Sequence, residues 1–332
     1  MGDTAVTTAP TAARGIAWHK FEPFALVAAW VLVVGAFSIA KPDIYPTTGN
    51  LQSILGSQSV LLILALGLLL PLTAGEFDLS VASTMSMAAM TIAVLNVNQQ
   101  VDILAAIAIA IALALVVGLV NGLLVVRIGF DSFIATLGTS TMMLGVIQWI
   151  SNGSSVTGID PMLSTATVGF RGILGLPLQF YYGVGVTVLM LVFLTWTPLG
   201  RRLLFVGQGR HVAHLSGLNV DRLRMGAFVG SAGVAALAGA VYAGVLGGSD
   251  PSSGQTYLLP AFAACYLGST AILPGRFNAI GTFVAVFFLA SGVVGLQMLG
   301  AQNFVQQLFY GGALIVAVAA SQLIRRGSVT TR

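Results

Sequence analysis

The side chains able to do chemistry in this sequence are few, and their placement excludes most reactions. Histidine occurs three times, at His19, His211 and His214, always outside the strongly apolar runs, and there is no HExxH. The one cysteine, Cys265, stands in Pro260-Ala-Phe-Ala-Ala-Cys265-Tyr, so neither an intrachain disulfide nor a thiolate metal site can be built. A small buried hydrophobe is expected there. A Walker A loop needs a Gly-Lys pair, because glycine amides cradle the phosphates and lysine reaches the outer ones; the two lysines follow His19 and Ala40. Gly207-Gln-Gly209 carries two glycines of a dinucleotide fingerprint and lacks the third. A serine-type intramembrane protease needs a histidine within its spans, and Gly247-Gly-Ser-Asp250 has the wrong residue for an aspartyl GxGD signature. No catalytic residue, metal site or ATP hydrolysis is expected of this chain alone.

What remains is polar and uncatalytic. The paired acids Glu76 and Asp78 lie in Thr73-Ala-Gly-Glu76-Phe-Asp78-Leu-Ser80, where one apolar run ends and the next begins. They read either as a polar hinge beside a solute path or as a cap, with Asp78 or Ser80 satisfying free amides of the following helix. Amides and hydroxyls such as Gln58, Ser59, Asn121 and Asn278 join Glu76 and Asp78 as candidates for a path suited to a neutral hydroxylated solute. Interhelical hydrogen bonding is the other use for such groups.

Elements long enough to position these residues are dictated by composition. Of 332 residues, 57% are hydrophobic and 7% charged, against about 25% charged in ordinary soluble domains; mean hydropathy is +0.95. A water-soluble enzyme or nucleic-acid binder is excluded, and an all-α polytopic membrane protein is expected. Apolar runs of about the ~20 residues needed to cross a bilayer fall near 24–40, 52–74, 80–97, 102–126, 132–150, 181–197, 226–247, 257–273, 277–298 and 305–324, ten in all. Residues 1–23 read as an N-terminal tail, 24–325 as the membrane domain and 326–332 as a C-terminal tail. Ser38-Ile-Ala40 offers small residues at cleavage-like spacing, but the polar lead and the runs behind it favour a retained first span.

Charge placement checks this count. With ten spans and both termini cytoplasmic, the inner side collects Arg14, Lys20, Arg127, Arg201, Arg202, Arg210, Arg222, Arg224, Arg276, Arg325, Arg326 and Arg332, while the outer side receives only Lys41 and Arg171. That is a strong positive-inside bias. It accounts for the net charge of +4 without a nucleic acid. The polar segment near 151–180 divides the spans five and five, which permits an inverted repeat. Gly118/Gly122, Gly226/Gly230 and Gly244/Gly248 have close-packing spacing, for intrachain contact or a subunit seam.

Residues 198–225 form the one long inner connection. Arg210 to Ser216 can make about two turns of helix, with Gly217 as its C-terminal cap, Gly207 and Gly209 allowing the bend into it, and Val212 and Leu215 on one face. Such a helix suits transmission of force from a partner protein; a solvated basic loop is the alternative. Three classes fit the whole: a permease driven by a separate ATPase, an ion-coupled secondary carrier of a neutral polar solute, and a non-transporting scaffold. The carrier is disfavoured by spans without ionisable groups, which such proteins keep despite their cost.

At this connection the chain resembles a known family. Thr197-Pro-Leu-Gly-Arg201 through Leu215-Ser-Gly-Leu-Asn-Val220 resembles the coupling-helix region of ribose-type sugar ABC-transporter permeases. Gly75-Glu-Phe-Asp78-Leu-Ser-Val is similar to the family's Gly-Gly-Ile-Asp-Leu-Ser-Val, and Gly118-Leu-Val-Asn121-Gly with Phe133-Ile-Ala-Thr-Leu-Gly138-Thr to its next signature. Gly254 through Gly268 and on to Thr282 resembles a late block, so the likeness runs from about residue 25 to 325. It implies a type II ABC importer permease fold in a bacterial inner membrane. The implied partners are a second permease subunit, identical or homologous, cytoplasmic ATPase subunits that bind ATP and Mg, and an extracytoplasmic binding protein delivering a monosaccharide or related polyol. It also implies ATPase contact by Gly207, Arg210, His211, Ala213, His214, Leu215, Ser216 and Gly217. The chain departs from the pattern at Ala74, Glu76 and Phe77, at Asp131 where proline is usual, and in Tyr257-Leu-Leu-Pro-Ala261, which lacks the glutamate of Tyr-Glu-Leu. These departures leave the sugar open.

Overall fold

Apolar side chains repeat without polar interruption over stretches too long for strands, so helices carry the chain. A computed structural model describes residues 22–330, apart from 170, 173 and 174; the expected N-terminal tail lies outside these but for its last two residues. The helices are α1 (Ala25–Ala40), α2 (Thr48–Ser57), α3 (Ser59–Thr73), α4 (Val81–Ala93), α5 (Ile103–Gly122), α6 (Ser132–Ser151), α7 (Pro161–Ser164), α8 (Leu178–Trp196), α9 (Pro198–Gln208), α10 (Arg210–Leu215), α11 (Val220–Leu246), α12 (Gln255–Gly268), α13 (Ala279–Met298) and α14 (Asn303–Thr330). The expected C-terminal tail is thus largely helical.

Each expected span falls on a helix, but among the described residues seven are long and apolar enough to cross a membrane. The seven include Thr48–Thr73, which bends at Gln58 after the Gly56-Ser57 pair, whereas the runs at 24–40 and 305–324 fall on shorter apolar stretches, Ala25–Ala40 and Phe304–Ala320. The run at 257–273 stops at Gly268, because the chain turns sharply there. A Cβ on Gly268 would stand 2.5 Å from the Thr282 amide of α13. The turn is held by Asn278, whose Nδ2 donates to the carbonyls of Gly268, Ala271 and Arg276 and whose Oδ1 accepts from the Gly281 amide.

Burial sorts the bundle into two layers. Every residue of α3 and α4 is buried, so these helices form the centre, α3 as an almost wholly apolar helix and α4 with its hydroxyls turned to neighbours. The long α11 packs on α3, α4 and α5. In α5 only one stripe is buried, through Ile103, Ala106, Ala110, Ala114 and Gly118, and the rest of its surface is outward and apolar. Most of the paired glycines serve contacts within the chain: a Cβ on Gly118 would lie 2.7 Å from the Phe228 carbonyl of α11, and one on Gly230 would meet Leu70 of α3. Gly226 faces open space. Asp131, out of pattern by resemblance, is the N-cap of α6, accepting from the amides of Phe133 and Ile134.

At one end the segment after α6 is clasped to the connection after α11. Strand β1 (Val156–Thr157) pairs antiparallel with β2 (Gly248–Ser249), and Ser155 Oγ donates to Asp250 Oδ2 at 2.6 Å. The chain then folds back into the bundle, so that Gly254 abuts Ser86 of α4 and Gln255 Nε2 lies 3.4 Å from Ser83 Oγ. Helix α12 therefore starts beside the middle of its neighbours, which explains its 14 residues.

Gly118→Val is expected to lower the thermal unfolding midpoint in detergent, since overpacking a close helix crossing costs about 1–3 kcal/mol, while Gly226→Val leaves it unchanged. Bonds from Ser155 and Ser252 hold the Asp250 carboxyl below the usual carboxylate range. Its contribution is complete above the ordinary value of ~3.9 and is lost as pH falls through the lowered one. Protection against hydrogen exchange at residues 155–157 and 248–250, taken relative to the intrinsic rate at each pH, should accordingly fall on acidification, and Asp250→Asn should remove that dependence.

Candidate functional site

The connection from Ala74 to Ser80 enters the bundle without helical hydrogen bonds to satisfy its amides. Gly75 turns it with φ +78°, a left-handed conformation that favours glycine. The amides are then met one by one. Glu76 N–H donates to the Pro71 carbonyl at 2.9 Å, Phe77 N–H to Ser132 Oγ at 3.1 Å and Leu79 N–H to Thr136 Oγ1 at 3.0 Å. Asp78 Oδ1 accepts from the Ser80 amide and hydroxyl, and Asp78 Oδ2 accepts from Ser231 Oγ of α11. Behind them Asn121 Nδ2 donates to Ser80 Oγ at 2.8 Å, and Thr139 Oγ1 donates to Asn121 Oδ1 at 2.7 Å. Burial pushes the Asp78 carboxyl above the usual carboxylate range, opposed by the bonds from Ser80 and Ser231. Of the two expected caps, Ser80 makes no side-chain cap bond to α4, because its hydroxyl is bound to Asp78 and Asn121, while Asp78 accepts the amide of Ser80, the residue immediately before the helix.

Glu76 is 3% exposed and binds two arginines through one oxygen. Arg210 Nη2 at the start of α10 lies 2.7 Å from Glu76 Oε1 and also donates to the Gly75 carbonyl at 2.9 Å. Arg224 Nε, in the first turns of α11, lies 2.5 Å from the same Oε1. Arg224 is itself 14% exposed against 47% for Arg210. The Arg224–Glu76 pair is therefore the internal one, and Arg210 is the partner that water can replace.

The connection from α8 to α11 is built to present α10. Thr197 caps α9, accepting from the Gly200 amide. Gly207 lets the last turn of α9 lie directly on the end of α3, since a Cβ there would collide with the Thr73 carbonyl oxygen. The expected short helix is present, and Gly217 follows it at φ +78°. Of the residues implied in partner contact, Gly207, Arg210, His211, His214, Leu215, Ser216 and Gly217 are exposed. Ala213 is not: at 0% exposure it packs with Val206 and Val220 and anchors the helix from beneath. Val212 and Leu215, 56% and 73% exposed, form an apolar face that the described residues leave uncovered.

Beside the connection lies a cavity of about 1020 Å³. Its walls include Glu76, Phe77, Gln255, Phe262, Tyr266 and Arg276. The rings of Phe77 and Phe262 stack on its wall, with centroids 6.4 Å apart and planes 23° apart. Of the expected path residues only Glu76 reaches this wall. Asp78 and Asn121 stand behind it as supports, and Asn278 holds the α12–α13 turn. Gln58 and Ser59 sit at the α2–α3 joint, where Gln58 Nε2 donates to Ser57 Oγ and Ser59 Oγ donates to the Leu55 carbonyl. The aromatic lining escaped sequence reasoning because phenylalanine in an apolar run carries no signal of exposure. Arg224 reads from sequence only as a topological charge.

Residues 50–318 match the family described as the permease component of the branched-chain amino acid transport system. Among curated proteins, the chain is 28% identical to the D-allose transport system permease protein of Escherichia coli, over 93% of each chain. It is 31% identical to the ribose import permease protein of Bacillus subtilis, over 90% of this chain and 92% of the relative. It is 29% identical to the L-arabinose ABC transporter permease protein of Azospirillum brasilense, over 96% and 92%. No solved structure matches significantly.

Thr136→Ala removes the acceptor of the buried Leu79 amide and should cost about 1–3 kcal/mol of stability, the usual penalty for a stranded group. Thr141, exposed and bonded only to the Leu137 carbonyl of its own helix, provides the control; Thr141→Ala should stay within about 0.5 kcal/mol by thermal unfolding in detergent.

Proposed function

Because the chain belongs to the family of branched-chain-type transport system permease components, we propose that it is the membrane subunit of an ATP-driven, binding-protein-dependent importer of a monosaccharide, a ribose-like sugar or related polyol. It is a multi-pass inner-membrane protein and a transport subunit, not an enzyme. The relatives are named for D-allose, ribose and L-arabinose, all small neutral polyhydroxy molecules. The cavity carries the reading for this chain. The faces of Phe77, Phe262 and Tyr266 offer apolar contact to the C–H faces of a sugar ring, while the amides of Gln208 and Gln255 offer hydrogen bonds to its hydroxyls.

The mechanism follows from the placement of α10. Cytoplasmic ATPase subunits, which bind the ATP and Mg, dock on Val212, Leu215 and the polar residues around them. Closure of the ATPases moves α10, the bundle changes the side to which its cavity opens, and a sugar delivered by an extracytoplasmic binding protein is released inside. A second permease subunit completes the assembly. Both termini are cytoplasmic: the end of the bundle holding Arg210, Arg224 and Arg276 carries the excess of basic residues expected inside.

Packing supports an inverted five-plus-five plan around residues 151–180. Helix α4 packs on α5, α6 and α11, as α12 packs on α13, α14 and α3. Each of α4 and α12 follows a connection that folds into the bundle, one from each end.

Val212→Asp combined with Leu215→Asp should abolish uptake and co-purification of the ATPase while leaving the chain in the membrane. Uptake that survives this pair, or uptake abolished by a protonophore and indifferent to loss of the ATPase, would overturn the reading in favour of an ion-coupled carrier.

A further inference from the structure

Resting on the importer reading, we propose that Glu76 is a positioning residue, a latch through which movement of α10 reaches the Phe77–Phe262 pair on the cavity wall. The geometry points to this role in three ways. Arg210 binds both the Glu76 carboxylate and the Gly75 carbonyl, so one side chain of α10 holds the two residues immediately before Phe77. The backbone it holds includes Gly75, whose φ of +78° marks a position free to rotate where other residues are not. The second arginine, Arg224, belongs to α11 and binds the same oxygen of Glu76.

Withdrawal of α10 therefore leaves Glu76 on Arg224 but releases two of the bonds that orient the chain ahead of Phe77. Return of α10 restores them. Beyond Phe77 the connection stays fixed by Thr136 and by Asp78 with Ser231, and within Gly75–Phe77 the amides of Glu76 and Phe77 keep their bonds to Pro71 and Ser132, so the movement is a local reorientation of Gly75–Phe77. The carboxylate that makes this possible stands where the resembling family pattern has glycine.

The test uses the whole importer in inside-out membrane vesicles, with D-ribose, D-allose and L-arabinose as probes. In a Cys265→Ala background, Leu259→Cys places a thiol on the exposed cavity-lining face of α12, and its reaction with a maleimide is timed with and without ATP. Glu76→Gln should lower sugar moved per ATP hydrolysed by about 5- to 150-fold, the span of typical coupling energies, and abolish the ATP-dependent change in labelling. Should Glu76→Gln fail to accumulate, Glu76→Asp keeps the charge but draws it back, and both readouts should fall in the same direction. An unchanged ratio with intact ATP-dependent labelling, in either variant, overturns the latch. If the unsubstituted chain moves none of the three sugars, the monosaccharide reading fails, and the labelling comparison still decides for or against the latch.

Discussion

A backbone amide buried away from water must find an acceptor or cost about 1–3 kcal/mol, and residues 74–80 carry a run of such amides into an apolar bundle. This requirement organises the centre of the molecule. Ser132 and Thr136 of α6 accept from the connection, Ser231 of α11 and Ser80 satisfy Asp78, and Asn121 with Thr139 closes the network behind. The polar side chains of α5, α6 and α11 are thus fixed by a chain segment that belongs to none of them. With few ionisable groups in the spans, these hydroxyls and amides supply what helices alone cannot.

The same connection joins the two features with functional meaning. Its cavity-facing residue, Phe77, stacks on Phe262 of α12, and its preceding residue, Glu76, is held by α10 and α11. Placing a carboxylate at 3% exposure would be costly without both arginines, since an unpaired buried charge is strongly destabilising. Its value lies in geometry. A helix only six residues long touches the cavity wall directly, without a chain of intermediates. The apolar cluster of Val206, Ala213 and Val220 keeps α10 rigid on its inner side while its outer side stays free.

Much of this was legible in the sequence where local chemistry decides. The apolar runs located the helices, and Gly207, Gly209 and Gly217 bracketed α10 because bends and left-handed caps favour glycine. What resisted reading depends on partners distant along the chain. Ser132 and Thr136 lie 55 and 57 residues from the amides they serve, and nothing local to either marks the pairing. The connection from Gly247 to Gly254 lies between two apolar runs, and nothing local marks that it folds inward, where glycine lets it approach Ser86 without a side chain. Asn278 reads as a path residue by its amide, but its bonds are consumed by the turn that ends α12.

On the proposed latch, the connection between α3 and α4 is rigid at one end and released at the other by movement of α10. Hydrogen exchange of residues 74–80, measured in the assembled complex with and without nucleotide, tests it most directly. The account predicts that protection changes at Gly75–Phe77 while Leu79 and Ser80 remain protected throughout. Protection that stays uniform across all of these residues through the nucleotide cycle would contradict it.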